Sequence, residues 1–227
     1  MSRTPVVSLA ALAALSFLPA LAGEIPALPG FDDGPAVSGS GHVVTQTRQP
    51  GSFDAVQSNG SFELRVSVGG PLSVVVEADD NLQDLIRTRV ESGTLVVDST
   101  RNLDSRHMPR IRISTPSLSA LTLSGSGNAK LSGVSGDNLA VRISGSGNVE
   151  GSGKVRELAL TVNGDGGAEL AELEADTAKV RLEGGGDSSV NVAQTLDAVI
   201  NGSADLKYHG SPKILSRVHG TGAVEKD

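Results

Sequence analysis

Leu121-Thr122-Leu123-Ser124-Gly125-Ser126-Gly127-Asn128 is answered twenty residues later by Val141-Arg142-Ile143-Ser144-Gly145-Ser146-Gly147-Asn148. In each, apolar residues alternate with polar ones and a glycine turn closes the run. Weaker copies of the turn follow at Asn163-Gly164-Asp165-Gly166-Gly167, Glu183-Gly184-Gly185-Gly186-Asp187, Asn201-Gly202-Ser203-Ala204-Asp205 and His219-Gly220-Thr221-Gly222-Ala223. The lead glycines are therefore spaced by 20, 19, 20, 18 and 18 residues. A fixed period of this size marks a solenoid, in which each repeat is one coil stacked on the next.

The residues two, four and six places before each lead glycine are mostly apolar. Leu139, Val141 and Ile143 precede Gly145, and Leu158, Leu160 and Val162 precede Gly164. Ala178, Val180 and Leu182 precede Gly184, and Leu196, Ala198 and Ile200 precede Gly202. Alternation with period two suits a strand with one buried and one wet face. The wet column three places before the glycine reads Thr122, Arg142, Thr161, Arg181, Val199 and Arg217, so only Val199 interrupts it. Shorter apolar pairs follow the turns, such as Ala129 with Leu131 and Val190 with Val192. Three short strands fit into such a period, which predicts an all-β chain folded as a right-handed, three-sided parallel β-helix. Its coils would sit about 4.8 Å apart. Asn59-Gly60, Asn163-Gly164 and Asn201-Gly202 also suit hairpins, so an antiparallel meander or sandwich competes. The constant phase between strand and glycine favours the solenoid.

Residues 1–22 read as a secretory signal peptide. Arg3 supplies the positive charge, Val6–Leu18 the apolar run, and Ala20-Leu21-Ala22 the cleavage site. The run is too short for a membrane anchor of about 20 residues, and the chain has no cysteine for a lipid. Cleavage removes Arg3 and leaves 18 basic against 26 acidic residues, a net charge of −8. The mature chain is expected to be exported, to the periplasm or the cell surface, and acidic. Such a charge argues against nucleic acid as a partner. Residues 23–41, with Pro26, Pro29 and Pro35, read as a flexible leader, and 42–227 as one solenoid domain. Within it 42–118 are atypical and 119–227 form regular coils. Ser38-Gly39-Ser40-Gly41-His42 looks like a further turn, either the solenoid's start or part of a linker. In the atypical part Leu72–Ala78 reads as a strand, Asp79-Asp80-Asn81 as the start of a short helical turn, and Val90–Leu95 as a tight turn between strands. This material would cover the open apolar end of the tube, as terminal units of solenoids must. The charged C-terminal tail is expected to blunt the other end.

The order Phe53-x-x-Val56, Gly60-x-x-x-Leu64, Glu77-Ala78-Asp79-Asp80-Asn81-Leu82, Gly93-x-Leu95 and Thr115-Pro116-x-Leu118-x-x-Leu121-x-Leu123-Ser124-Gly125-Ser126-Gly127 resembles a bacterial family over residues 42–225. That family is the putative autotransporter adhesin, head GIN domain, a domain of unknown function. The resemblance implies a secreted or envelope β-helical domain with an adhesin-like role. The chain carries no downstream membrane β-barrel, so it is not expected to transport itself.

Positions three after the lead glycines read Asn128, Asn148, Gly167, Asp187, Asp205 and Ala223. A stacked column of Asn and Asp can hydrogen-bond along the stack or hold cations. The simpler reading is that both types tolerate the left-handed backbone of turns. Gly184-Gly185-Gly186-Asp187 resembles a calcium-binding glycine repeat, but that repeat needs a nine-residue period. Asp165, Asp187 and Asp205 could align as the carboxylates of a polysaccharide-acting lyase or hydrolase on a β-helix, the alternative function. Four Phe and Tyr208 give little surface for sugar stacking. His42, His107, His209 and His219 are scattered, without zinc-ligand spacing. The reading is thus an exported, non-catalytic β-helical domain binding a cell-surface glycan, envelope or matrix component. No catalytic, cofactor or metal residue is assigned, and no cofactor is expected.

Overall fold

The computed structural model describes residues 32–227. The signal peptide and the leader up to residue 31 lie outside the described residues. Strand β1 (Asp32–Ser38) is followed by β2 (Val43–Arg48), β3 (Ala55–Asn59), β4 (Glu63–Val68) and β5 (Ser73–Asp79). A 3₁₀ turn at Asp80–Leu85 leads into β6 (Ile86–Glu91), β7 (Thr94–Ser99), β8 (Arg101–Asp104) and β9 (Arg110–Thr115). The regular part comprises β10 (Ala120–Gly125), β11 (Asn128–Gly145), β12 (Val149–Gly164), β13 (Ala168–Gly184), β14 (Ser188–Gly202), β15 (Leu206–Gly210), β16 (Lys213–Gly220) and β17 (Val224–Lys226).

From β10 onward every pairing is parallel and links one coil to the next. Leu139 lies opposite Leu158, Leu158 opposite Ala178, and Ala178 opposite Leu196. All four are at most 2% exposed, so the apolar column predicted from period two is one continuous interior. Each buried leucine contributes about 2 kcal/mol by leaving water. The chain is a β-solenoid. Gly125 stacks on Gly145, Gly164 on Gly184, Gly184 on Gly202, and Gly202 on Gly220. Asn59-Gly60 is another copy of this turn rather than a hairpin, because the Gly60 amide donates to the Ser124 carbonyl of the next coil at 2.8 Å.

The N-terminal part departs from simple succession. β3 lies between β7 and β10, and β4 lies between β9 and β11, all in parallel. The coil made by β7 and β9 is therefore stacked outside the coil made by β3 and β4, although it comes later in the chain. The chain then returns past β3 and β4 to start β10 on their other side. Antiparallel strands complete this end: β6 on β7, β5 on β9, and β2 on β5. A hairpin with Ser92 (φ 48°) and Gly93 (φ 81°) joins β6 to β7, where Val90–Leu95 predicts a tight turn. The 3₁₀ turn buries Leu82 against this cap. Both pairing modes are present, with parallel coils in the body and antiparallel strands at its end.

The stretch read as leader is partly ordered strand. β1 pairs in parallel with β8, and the Ser40 side chain donates to Asp80. Ser38–His42 thus joins the N-terminal cap and not the lead-glycine column.

Candidate functional site

Each regular turn is built from two glycine columns with different causes. The lead glycines have φ between +118° and +142°, a region L side chains avoid. The glycine two places later lacks this feature, but a methyl group on Gly147 or Gly166 would lie 2.1 Å from a carbonyl oxygen of the previous coil. That second demand is softer, since Ala204 occupies the equivalent place in the fifth turn and is buried there.

The Asn and Asp column three places after the lead glycine is a ladder. Asn128 Oδ1 accepts the Asn148 amide at 2.9 Å, and Asn148 Oδ1 accepts the Gly167 amide at 2.9 Å. Asp187 Oδ1 and Asp205 Oδ1 accept the amides of Asp205 and Ala223, each at 2.8 Å. Gly167 interrupts the series because it has no side-chain acceptor. Among the described residues only Ser92 combines a side chain with positive φ. The column is therefore not explained by tolerance of the left-handed backbone. Asn and Asp recur because their short side chains reach the peptide of the next coil, each bond contributing about 1 kcal/mol.

The ladder fixes what the three aspartates can do. Asp187 and Asp205 share a column and each holds a backbone amide. Asp165, one place after its glycine, belongs to another column and sits over Gly185. The structure does not bring the three together. No three His, Asp or Glu side chains among the described residues converge on a point that would hold a metal ion. His209 Nε2 lies 3.3 Å from Asp227 Oδ2, while His42, His107 and His219 are exposed and in separate places.

The outward residues of the strand segments before the lead glycines form a flat face. Thr122, Arg142, Thr161, Arg181, Val199 and Arg217 stand opposite one another in that order, with Gln57 beside Thr122. Ala55, Ala120, Ala140 and Ala159 form a neighbouring column, continued by Lys179 and Asp197. On the other side runs Ser124, Ser144, Asn163, Glu183, Asn201 and His219. The wet column was visible in the sequence; its flanking alanines keep an equally fixed offset, five places before the lead glycine, but were not singled out there. A second face, after the turns, carries cross-coil ion pairs: Lys130 with Glu150 at 2.6 Å and, round the next corner, Lys154 with Glu174 at 2.8 Å.

Register-true coils define a β-solenoid with flat, polar, repeating faces. The chain belongs to the family described as putative auto-transporter adhesin, head GIN domain, whose model matches residues 52–212. No curated protein matches the chain significantly. Among solved structures it is similar to a putative adhesin from Bacteroides fragilis, at 22% identity and TM-score 0.67, covering 85% of this chain and 100% of that one. A putative adhesin from Parabacteroides merdae aligns at 19% identity and TM-score 0.59, covering 85% and 99%. A putative lipid binding protein from Parabacteroides distasonis aligns at 23% identity and TM-score 0.53, covering 85% and 100%. At these identities the likeness shows the fold. The family supports an adhesin-like role and fits a surface or exported protein. Among the described residues no helix is long and apolar enough to cross a membrane.

Proposed function

We propose that this chain is an exported, non-catalytic adhesin-like module that binds a cell-surface, envelope or matrix component along a flat solenoid face. In this reading residues 1–22 direct export and are removed, and the solenoid domain is the functional unit. The observation that carries it is the unbroken register of outward columns from β3 to β16. Contacts repeated at the coil spacing favour an extended, repetitive partner, and weak contacts gain strength by acting together. The engagement of Asp187 and Asp205 in backbone hydrogen bonds supports a structural role for the carboxylates the sequence offered to catalysis.

The test displays the mature chain on beads against glycan arrays and cell-surface or matrix preparations, with sugar release assayed in parallel. Retention on at least one surface, with reducing sugar at background, is the expected result. Sugar release that disappears in Asp187→Ala or Asp205→Ala would overturn the non-catalytic reading. Failure to bind any surface would overturn the adhesin reading.

A further inference from the structure

Charge is unevenly distributed around this acidic solenoid. The segments before the lead glycines, from residue 138 to residue 219, present five cations outward: Arg142, Arg181, Arg217, Lys179 and Lys213. Only Glu157, Glu183 and Asp197 oppose them there. The acidic excess lies on the other sides, as with Glu150, Glu169, Glu172, Glu174 and Asp176. One flat face of a chain with net charge −7 is thus net positive.

Spacing adds to sign. The three arginines occupy alternate coils of one column, with Thr161 and Val199 between them. Two coils place successive guanidinium groups about 10 Å apart. Arg142 and Arg217 are exposed, and no carboxylate partner engages either among the described residues. Arg181 pairs with Glu183 at 2.9 Å, both side chains being more than 40% exposed, so an incoming anion can exchange with Glu183. The neighbouring column is alanine beside Arg142 and Thr161, then Lys179 beside Arg181 and the exposed Leu215 beside Arg217, and Thr122, Thr161, Ser144 and Asn163 supply hydroxyl and amide groups.

We propose that this face binds a linear, uronate-bearing polysaccharide laid along the solenoid axis, its carboxylates taken by Arg142, Arg181 and Arg217. The proposal rests on the adhesin reading and names its ligand class. In an extended 1,4-linked chain successive rings turn over, so carboxylates on one side recur every second ring, close to the length of two coils. Guanidinium groups take carboxylates as paired, charge-assisted hydrogen bonds. The C–H faces of pyranose rings suit Ala140 and Ala159 at the Arg142 end and the exposed Leu215 at the Arg217 end. Nucleic acid fits poorly, because its phosphates recur about every 3.4 Å along a strand and most would stay unneutralised.

Calorimetric titration of the mature chain at low salt with size-graded oligomers of polygalacturonate and alginate tests this, with dextran and double-stranded DNA as comparisons. Affinity should rise with length until an oligomer spans Arg142 to Arg217, four coils or about 19 Å, and then level off. Arg142→Ser, Arg181→Ser and Arg217→Ser should each weaken binding about tenfold, as expected for one charge-assisted contact, without changing Tm. Equal binding of dextran or DNA, or undiminished binding by the triple variant, would sink the proposal. A chain that holds to matrix preparations but ignores both uronates defeats this inference and leaves the adhesin reading standing. One that binds neither defeats both.

Discussion

Gly164 shows how a single residue holds a coil. Its φ is +121°, and a methyl group on its α-carbon would lie 2.5 Å from the Gly145 carbonyl oxygen. Gly164→Ala therefore combines backbone strain with overpacking against main chain, a loss of about 3 kcal/mol. Gly185→Ala is the matched control. Its new methyl group would meet only the side chains of Asp165 and Ser203, at 3.3 and 3.4 Å. Urea unfolding should show a much lower midpoint for the first variant and a nearly unchanged one for the second. Equal midpoints would refute the turn's proposed geometry. The lead glycines were legible from the sequence because their spacing repeats. The ladder of Asn128, Asn148, Asp187 and Asp205 was read for the wrong reason. Side-chain bonds to the neighbouring coil and local tolerance of a turn favour the same residue types, and only the sign of φ separates them.

At the scale of elements, the N-terminal cap is held by a network across β4, β5 and β9. Arg110 donates to Glu63 through Nε and Nη2 at 3.0 and 2.9 Å and to Glu77 through Nη1 at 3.0 Å. Arg112 donates to Glu77 at 2.8 Å, and Arg65 to Glu63 at 2.7 and 2.9 Å. The Arg110 hydrogen bond, with help from Arg65, holds the Glu63 carboxyl below the ordinary glutamate value. A lowered folded value means the unfolded chain takes up the proton first. The stabilisation is thus complete above the ordinary glutamate range and is lost as pH falls through the lowered folded value. Arg110→Gln should move the Glu63 titration, followed by carboxyl NMR, up toward the ordinary value and shift acid unfolding to higher pH. An unmoved titration would show that Arg110 is not the cause. Parts of the cap were readable individually, since Leu72–Ala78 carries the signal of a strand and Val90–Leu95 that of a tight turn between strands. Their partners were not. Nothing in the alternation of β5 tells whether it pairs in parallel or, as the structure shows with β9, antiparallel.

For the whole molecule, the two ends are unlike. Antiparallel strands and the buried 3₁₀ turn close the N-terminal end. At the other end the tail does not shield the last coil: Val224–Lys226 becomes β17 on β15, and Asp227 reaches His209. Among the described residues β16 pairs only with β14, and Ile214, Leu215 and Val218 on it remain more than a third exposed. Coil order was also beyond sequence reading. The period locates coils from Ala120 onward, but the return of the chain past β3 and β4 depends on which neighbour each early strand finds. What periodicity did reveal is the register of the body, and the proposed binding face inherits its geometry from that register.

That register can be tested by covalent chemistry, because the chain has no cysteine of its own. Thr161 and Arg181 lie directly opposite in adjacent coils, whereas Thr161 and Val199 are two coils apart. Neighbouring parallel strands bring α-carbons to about 5 Å, within disulfide reach, and two coils separate them by about 10 Å, beyond it. Under dilute oxidation a Thr161→Cys/Arg181→Cys chain should close an internal disulfide, read by mass spectrometry, and a Thr161→Cys/Val199→Cys chain should keep free thiols. Closure of the second pair with the first left reduced would contradict parallel, in-register stacking.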